Sequence, residues 1–108
     1  MTSNKAKEIW KEKYGEEKIV EDFHGNIMYY DAYGKDNYYI QLNGKKVNCG
    51  WNIDHILAKS RGGSSDRGNL TPTNIRTNRA KADKNTFWID DDLYQVKKSD
   101  TGYNISKI

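Results

Sequence analysis

At 108 residues, 35% of them apolar and 12% aromatic, the chain is sized for one domain with a modest core, in which eight Tyr, three Trp and two Phe supply much of the buried area. A single cysteine, Cys49, excludes an internal disulfide framework and the paired Cys-x-x-Cys knuckles of small structural zinc sites, so no structural zinc is expected. No apolar run approaches the roughly 20 residues of a membrane span, and the first residues, MTSNKAKE, carry no signal-peptide core, which makes a reduced, cytoplasmic setting without a membrane partner the expectation.

Residues 4–14, NKAKEIWKEKY, place Ile9, Trp10 and Tyr14 at helical spacing among charged helix formers, and Gly15 stops them; a short N-terminal helix is expected. KIVEDF and NIMYY flank His24-Gly25, and YYIQL and KKVNC flank Asn43-Gly44, so the first half reads as antiparallel hairpins with His24 on the surface. A strand follows at about 47–54, then a glycine-rich loop over 57–68 and a short strand at Asn69-Leu70-Thr71. The period then changes: Thr71 as N-cap and Pro72 as first residue predict a helix over about 72–84. LYQVKK, the turn SDTG and YNISKI read as a terminal hairpin, although DDDLYQVKK also suits a short helix with acids at its positive end. The chain shows no repeat, low-complexity tract or linker.

The net charge of +3 is unevenly spread. Residues 54–84 hold seven basic residues against three acids and carry +4, leaving −1 for everything else. Nucleic acid, a phosphate ligand or an acidic partner would each benefit from such a focus, and a solvated loop and helix face would also account for it.

Inside that segment, Asp54 and His55 leave the first strand together, and Asn74, Asn78 and Lys81 fall at i, i+4 and i+7 of the expected helix as one polar stripe. Hydrolysis of a phosphodiester calls for a divalent cation to neutralise the anionic backbone and a base to take a proton from water. Hard Mg²⁺ keeps several waters and needs one or two oxygen donors, which the Asp54 carboxylate and the Asn78 carboxamide would supply. His55 is the side chain suited to the base, and Lys81, one turn beyond Asn78, is placed to meet a phosphate oxygen.

These residues carry a family resemblance. IDHILAKSRGGSSDRGNLTPTNIRTNRAKAD, residues 53–83, resembles the HNH nuclease motif: an Asp-His pair, a Ser-x-Gly-Gly loop, Asn-Leu, and Asn-x-x-Lys on a helix. The YDAYG at 30–34 and the GW at 50–51 are similar to the lead-in of small phage and bacterial members. The resemblance implies an α+β fold with a ββα-metal (His-Me finger) core, flanked by antiparallel hairpins and the N-terminal helix. It implies a single nuclease domain over 1–108 with its motif core at 47–84. It also implies DNA cleavage with one divalent metal, Mg²⁺ or Mn²⁺ in its place, His55 acting as general base and Asp54 and Asn78 holding the metal. Asn69 would be the middle residue that pins the loop and orients His55. Two positions depart from the family pattern: Ala58 stands where a proline is common, and Asn78 stands where many members have His.

DNA is the expected partner, with Lys59, Arg61, Arg76, Arg79 and Lys81 on its backbone. So short a chain leaves no room for a separate DNA-reading domain, which points to weak specificity, or to specificity supplied by a homodimer or a partner protein. The competing class is a DNA-binding or phage packaging accessory module that cuts little or not at all.

Overall fold

The computed structural model describes all of residues 1–108. Helix α1 (Ser3–Tyr14) starts where the Thr2 hydroxyl accepts from the Lys5 N–H, and it ends at Gly15, whose positive φ of 62° returns its N–H to the Lys11 carbonyl. Ala6, Ile9 and Trp10 form its buried stripe. Two hairpins follow, β1 (Ile19–Glu21) with β2 (Ile27–Tyr29) and β3 (Tyr39–Leu42) with β4 (Lys45–Asn48). The second closes through Asn43-Gly44, both at positive φ, the conformation an Asn-Gly pair adopts readily. Strands β5 (Trp51–His55) and β6 (Leu70–Asn74) pair antiparallel from Trp51 opposite Asn74 to His55 opposite Leu70, and α2 (Ile75–Lys81) follows β6 directly. A three-stranded antiparallel sheet of β7 (Thr86–Ile89), β8 (Asp92–Ser99) and β9 (Gly102–Lys107) completes the chain.

The main core joins α1 to the hairpins through Ala6, Trp10, Met28, Ala32, Cys49 and Trp51. The Trp10 and Trp51 rings lie 4.7 Å apart, and both buried indole N–H groups are satisfied, by the Glu17 and Tyr29 carbonyls. Burial pushes the Cys49 thiol above its ordinary range. A smaller cluster of Phe87, Ile89 and Tyr94, with Phe23 against it, seats the last sheet. No helix is long and apolar enough to cross a membrane.

The structure corrects the expected fold class. The chain is α+β, with two helices and four small antiparallel sheets, and the ββα-metal core with its helix over 72–84 is not what it forms. Residues 70–74 are strand, with Pro72 opposite Ile53, and the helix that follows has seven residues. Asp54, at the end of β5, is ion-paired with Lys81 of that helix. Pro72 fits a strand because this sheet has only two strands, so β6 has an edge that needs no N–H. Helix capping moves to Asn74, whose side chain accepts from the Arg76 N–H at 2.9 Å.

Two further expectations change. The strand expected at 47–54 is broken at Cys49-Gly50 into β4 and β5, and the terminal hairpin gains a third strand, β7. His24 is enclosed, not on the surface: its side chain is 9% exposed, with Nδ1 2.6 Å from the Tyr94 hydroxyl and Nε2 2.8 Å from Asp90.

Asp22 ties the first hairpin to the start of α2. It is buried; its Oδ1 accepts from the His24 and Asn26 N–H groups and its Oδ2 from the Asn74 N–H, each at 3.0 Å. Because Asp22→Ala strands the buried Asn74 N–H as well as the turn, it is expected to cost at least about 2 kcal/mol in urea unfolding. A loss within 0.5 kcal/mol would mean, at the scale of ordinary surface substitutions, that the turn holds without its carboxylate.

Candidate active site

Strand alternation puts Asn52 and Asp54 on one face of β5, and α2 lies across that face. Asn78 Nδ2 donates to Asn52 Oδ1 at 2.9 Å; three residues on, Lys81 Nζ stands 3.2 Å from Asp54 Oδ2 and donates to the His55 carbonyl at 3.2 Å. The helix is thus fastened to the strand at two successive steps. Lys81 is fully buried and the Asp54 side chain 8% exposed, so both charges have left water and depend on one another. Burial pushes the Asp54 carboxyl above its ordinary value, and the Lys81 ammonium opposes that shift. Asp54 Oδ2 has no well-oriented hydrogen-bond donor, only the ammonium beside it.

The β5–β6 connection is folded around Asn69, 1% exposed. Its Oδ1 accepts from the Leu57 N–H at 2.8 Å, and its Nδ2 donates to the Leu57 and Ser64 carbonyls at 3.0 and 2.8 Å. A Cβ at Gly63 would collide with the Leu57 carbonyl, so only glycine lets the loop close on itself here. The closed loop brings Ser65 to His55, with Oγ 3.0 Å from Nε2. Burial, then the Lys59 and Lys81 charges, hold the His55 imidazole below its ordinary value of 6.5 and hence neutral at pH 7.

The residues singled out by sequence fall into three groups. Asp54, His55 and Lys81 meet directly, Asn78 joins them through Asn52, and Asn69 acts from beneath the loop. Lys59, Arg61, Arg76 and Arg79 are exposed; Arg61 reaches the Asp83 carbonyl, Arg76 the Asn48 carbonyl and Arg79 the Asp36 carboxylate at 3.0 Å. Lys81 departs from this basic set, since its ammonium is turned inward to Asp54. Beside the site lies an open cleft of about 480 Å³, with Asn52, Asn78, Arg79, Asp36 and Gly34 among its walls.

The donors nearest one another are oxygens, the kind a hard divalent cation takes: the Asp54 carboxylate, whose Oδ2 is held by Lys81 at 3.2 Å, and the Asn78 carboxamide, whose nitrogen is engaged by Asn52. Two residues of this site escaped the sequence reading. Asn52 was legible from alternation, two residues before Asp54 on the same strand; nothing in the sequence distinguishes Ser65 from Ser64, because loop closure decides which serine faces His55. Compared with known protein families, curated proteins and solved structures, the chain matches none of them.

Removing Lys81 leaves a buried carboxylate unpaired. Lys81→Ala is expected to destabilise the fold by about 3–5 kcal/mol in urea unfolding, whereas Arg79→Ala, on the exposed side of the same helix, should stay within about 0.5 kcal/mol. Equal effects of the two would show that the ion pair does not hold the helix.

Proposed function

We propose that the protein is a divalent-metal-dependent endonuclease of HNH type that hydrolyses DNA phosphodiester bonds, acting in the cytoplasm. The observation that carries this reading is the meeting of Asp54, His55 and Lys81, with the Asn52-Asn78 pair beside them and the exposed Arg79 in the cleft that this pair lines. His55 is the general base. Its Nε2 is engaged by Ser65, which leaves Nδ1 to take the proton from water, and the depressed affinity for protons keeps it free to do so at neutral pH. Asn69 holds the loop that presents Ser65, so it positions His55 without touching substrate.

Asp54 and Asn78 are the residues that would hold Mg²⁺ or Mn²⁺. The cation, when bound, would neutralise charge on the scissile phosphate. Lys81 opposes the upward shift that burial imposes on the Asp54 carboxyl and fixes it in place. Lys59, Arg61, Arg76 and Arg79 grip the DNA backbone from the exposed rim, and the weak sequence preference expected of so few contacts leaves room for a homodimer or partner protein.

Plasmid cleavage tests the reading. With Mg²⁺ or Mn²⁺ the protein should cut, chelator should stop it, and His55→Ala should lower the rate by at least about 10² while leaving DNA binding intact. Binding without cutting under any of these conditions would identify a DNA-binding or packaging accessory module instead.

The pH dependence follows from the sign of the His55 shift. A lowered value keeps the imidazole deprotonated to lower pH, so the rising limb of cleavage should have its midpoint below 6.5, and Lys59→Gln, by removing a nearby cation, should move it upward. A midpoint above 6.5 would remove His55 from the rate-limiting proton transfer. Affinity for duplex DNA should fall steeply with salt, and Arg76→Ala and Arg79→Ala should each flatten that slope by about one unit.

A further inference from the structure

Tryptophan offers more apolar area than any other side chain, yet this domain, only 35% apolar, leaves one of its three outside the core. Trp10 and Trp51 are completely buried, whereas Trp88 is 63% exposed. On β7 it stands between Phe87 and Ile89, both buried in the second apolar cluster, so strand alternation turns the indole outward and holds it there. The indole lines a second open cleft of about 340 Å³, together with Arg76 and Ala80 of α2, while Asn26, Ile89 and Asp90 complete the walls. That volume falls within the roughly 300–1,000 Å³ of small-ligand sites. The Arg76 guanidinium makes a single hydrogen bond, to the Asn48 carbonyl at 3.2 Å, which leaves most of its donors for an anion. The Asp90 carboxylate is already engaged, by His24 Nε2 at 2.8 Å.

We propose that Trp88 and Arg76 form a subsite for an unpaired nucleotide of DNA: a base stacks on the exposed indole while its phosphate meets the Arg76 guanidinium. A flat apolar ring beside a cation complements an unpaired nucleotide, because every base has a π face and every phosphate a charge. A base inside a duplex has both faces covered by its neighbours and cannot reach the ring. Helix α2 joins this subsite to the candidate active site. Asn78 and Arg79 line the larger cleft and Arg76 and Ala80 the smaller, and the two arginines, three residues apart, are neighbours along the helix surface. A strand crossing α2 from Arg79 to Arg76 brings its flanking nucleotide to Trp88. The proposal rests on the reading of DNA as the partner, and it requires neither cleavage nor a cation.

Because Trp10 and Trp51 are sealed in the core, a ligand at the surface can quench the fluorescence of Trp88 alone. In chelator, where no cation is needed and nothing is cut, an oligothymidylate of about ten nucleotides should quench the emission of the intact protein, and a dumbbell duplex without free ends should bind without quenching. Trp88→Thr, a substitution suited to an exposed strand position, should abolish the quenching and weaken oligothymidylate binding about tenfold. Its affinity for the dumbbell should stay within about twofold of the parent, with the melting temperature nearly unchanged; Trp88→Tyr, which keeps a ring, should hold oligothymidylate within about threefold of the parent. If oligothymidylate binds without quenching, if quenching persists in Trp88→Thr, or if Trp88→Thr binds it as the parent does or weakens both DNAs equally, the subsite is overturned while DNA stands as the partner. Quenching that grows with protein concentration alone and vanishes in Trp88→Thr would place a second copy of the chain on the indole, and would overturn it too. If the parent binds neither DNA, the subsite and the DNA reading fall together.

Discussion

The end of β5 is organised by one buried ion pair, Lys81 with Asp54. An ammonium that has lost all contact with water is tolerable only with acceptors around it, and Lys81 has two, the Asp54 carboxylate and the His55 carbonyl. Helix α2, seven residues long, is too short to persist on propensity alone, so its place depends on such tertiary ties. The same charge reaches the imidazole next door and helps keep it unprotonated. Stability and candidate chemistry therefore share a residue, and a change at Lys81 disturbs both.

Amides do much of the remaining fastening. Asn69 and Asn74 are each 1% exposed, in positions where a small domain would ordinarily place apolar groups. Asn69 closes the loop over its own strand end, while Asn74 caps α2 and donates through Nδ2 to the Ile27 and Asn48 carbonyls, tying two hairpins to the helix start. Asn26 adds a bond to Thr77 inside the helix. With apolar residues at 35% of the chain, the two apolar clusters stay small, and the polar ties between them bind four separate small sheets into one surface. Such ties are directional, which is why they can hold a loop such as 57–68 in a defined shape where apolar contact alone would let it slide.

The outer surface has a different character. Arg61, Arg76 and Arg79 make bonds to a carbonyl or to a single carboxylate, contacts that solvent screens. Charge at this site is thus layered, with a paired cation inside that fixes geometry and a loosely engaged set outside.

What the sequence determined by itself is local. The Asn43-Gly44 turn, the span of α1 and its stop at Gly15, and the hairpin character of the first half follow from backbone preferences that act within a few residues. So does the spacing of Asp54, His55, Asn69 and Asn78, which can be read as a set before any fold is known. Only the tertiary structure decided where those side chains point. Pro72, read locally, starts a helix; pairing with Ile53 made it strand and shifted the cap to Asn74. Lys81, read as part of a basic stripe, turned inward because Asp54 needed a counter-charge, and His24 became enclosed once Tyr94 and Asp90 arrived from the last sheet. Each of these outcomes depends on a partner between 19 and 70 residues away in the chain. Propensity and spacing act over one or two turns, whereas burial of charge and of polar groups is settled only when distant segments meet.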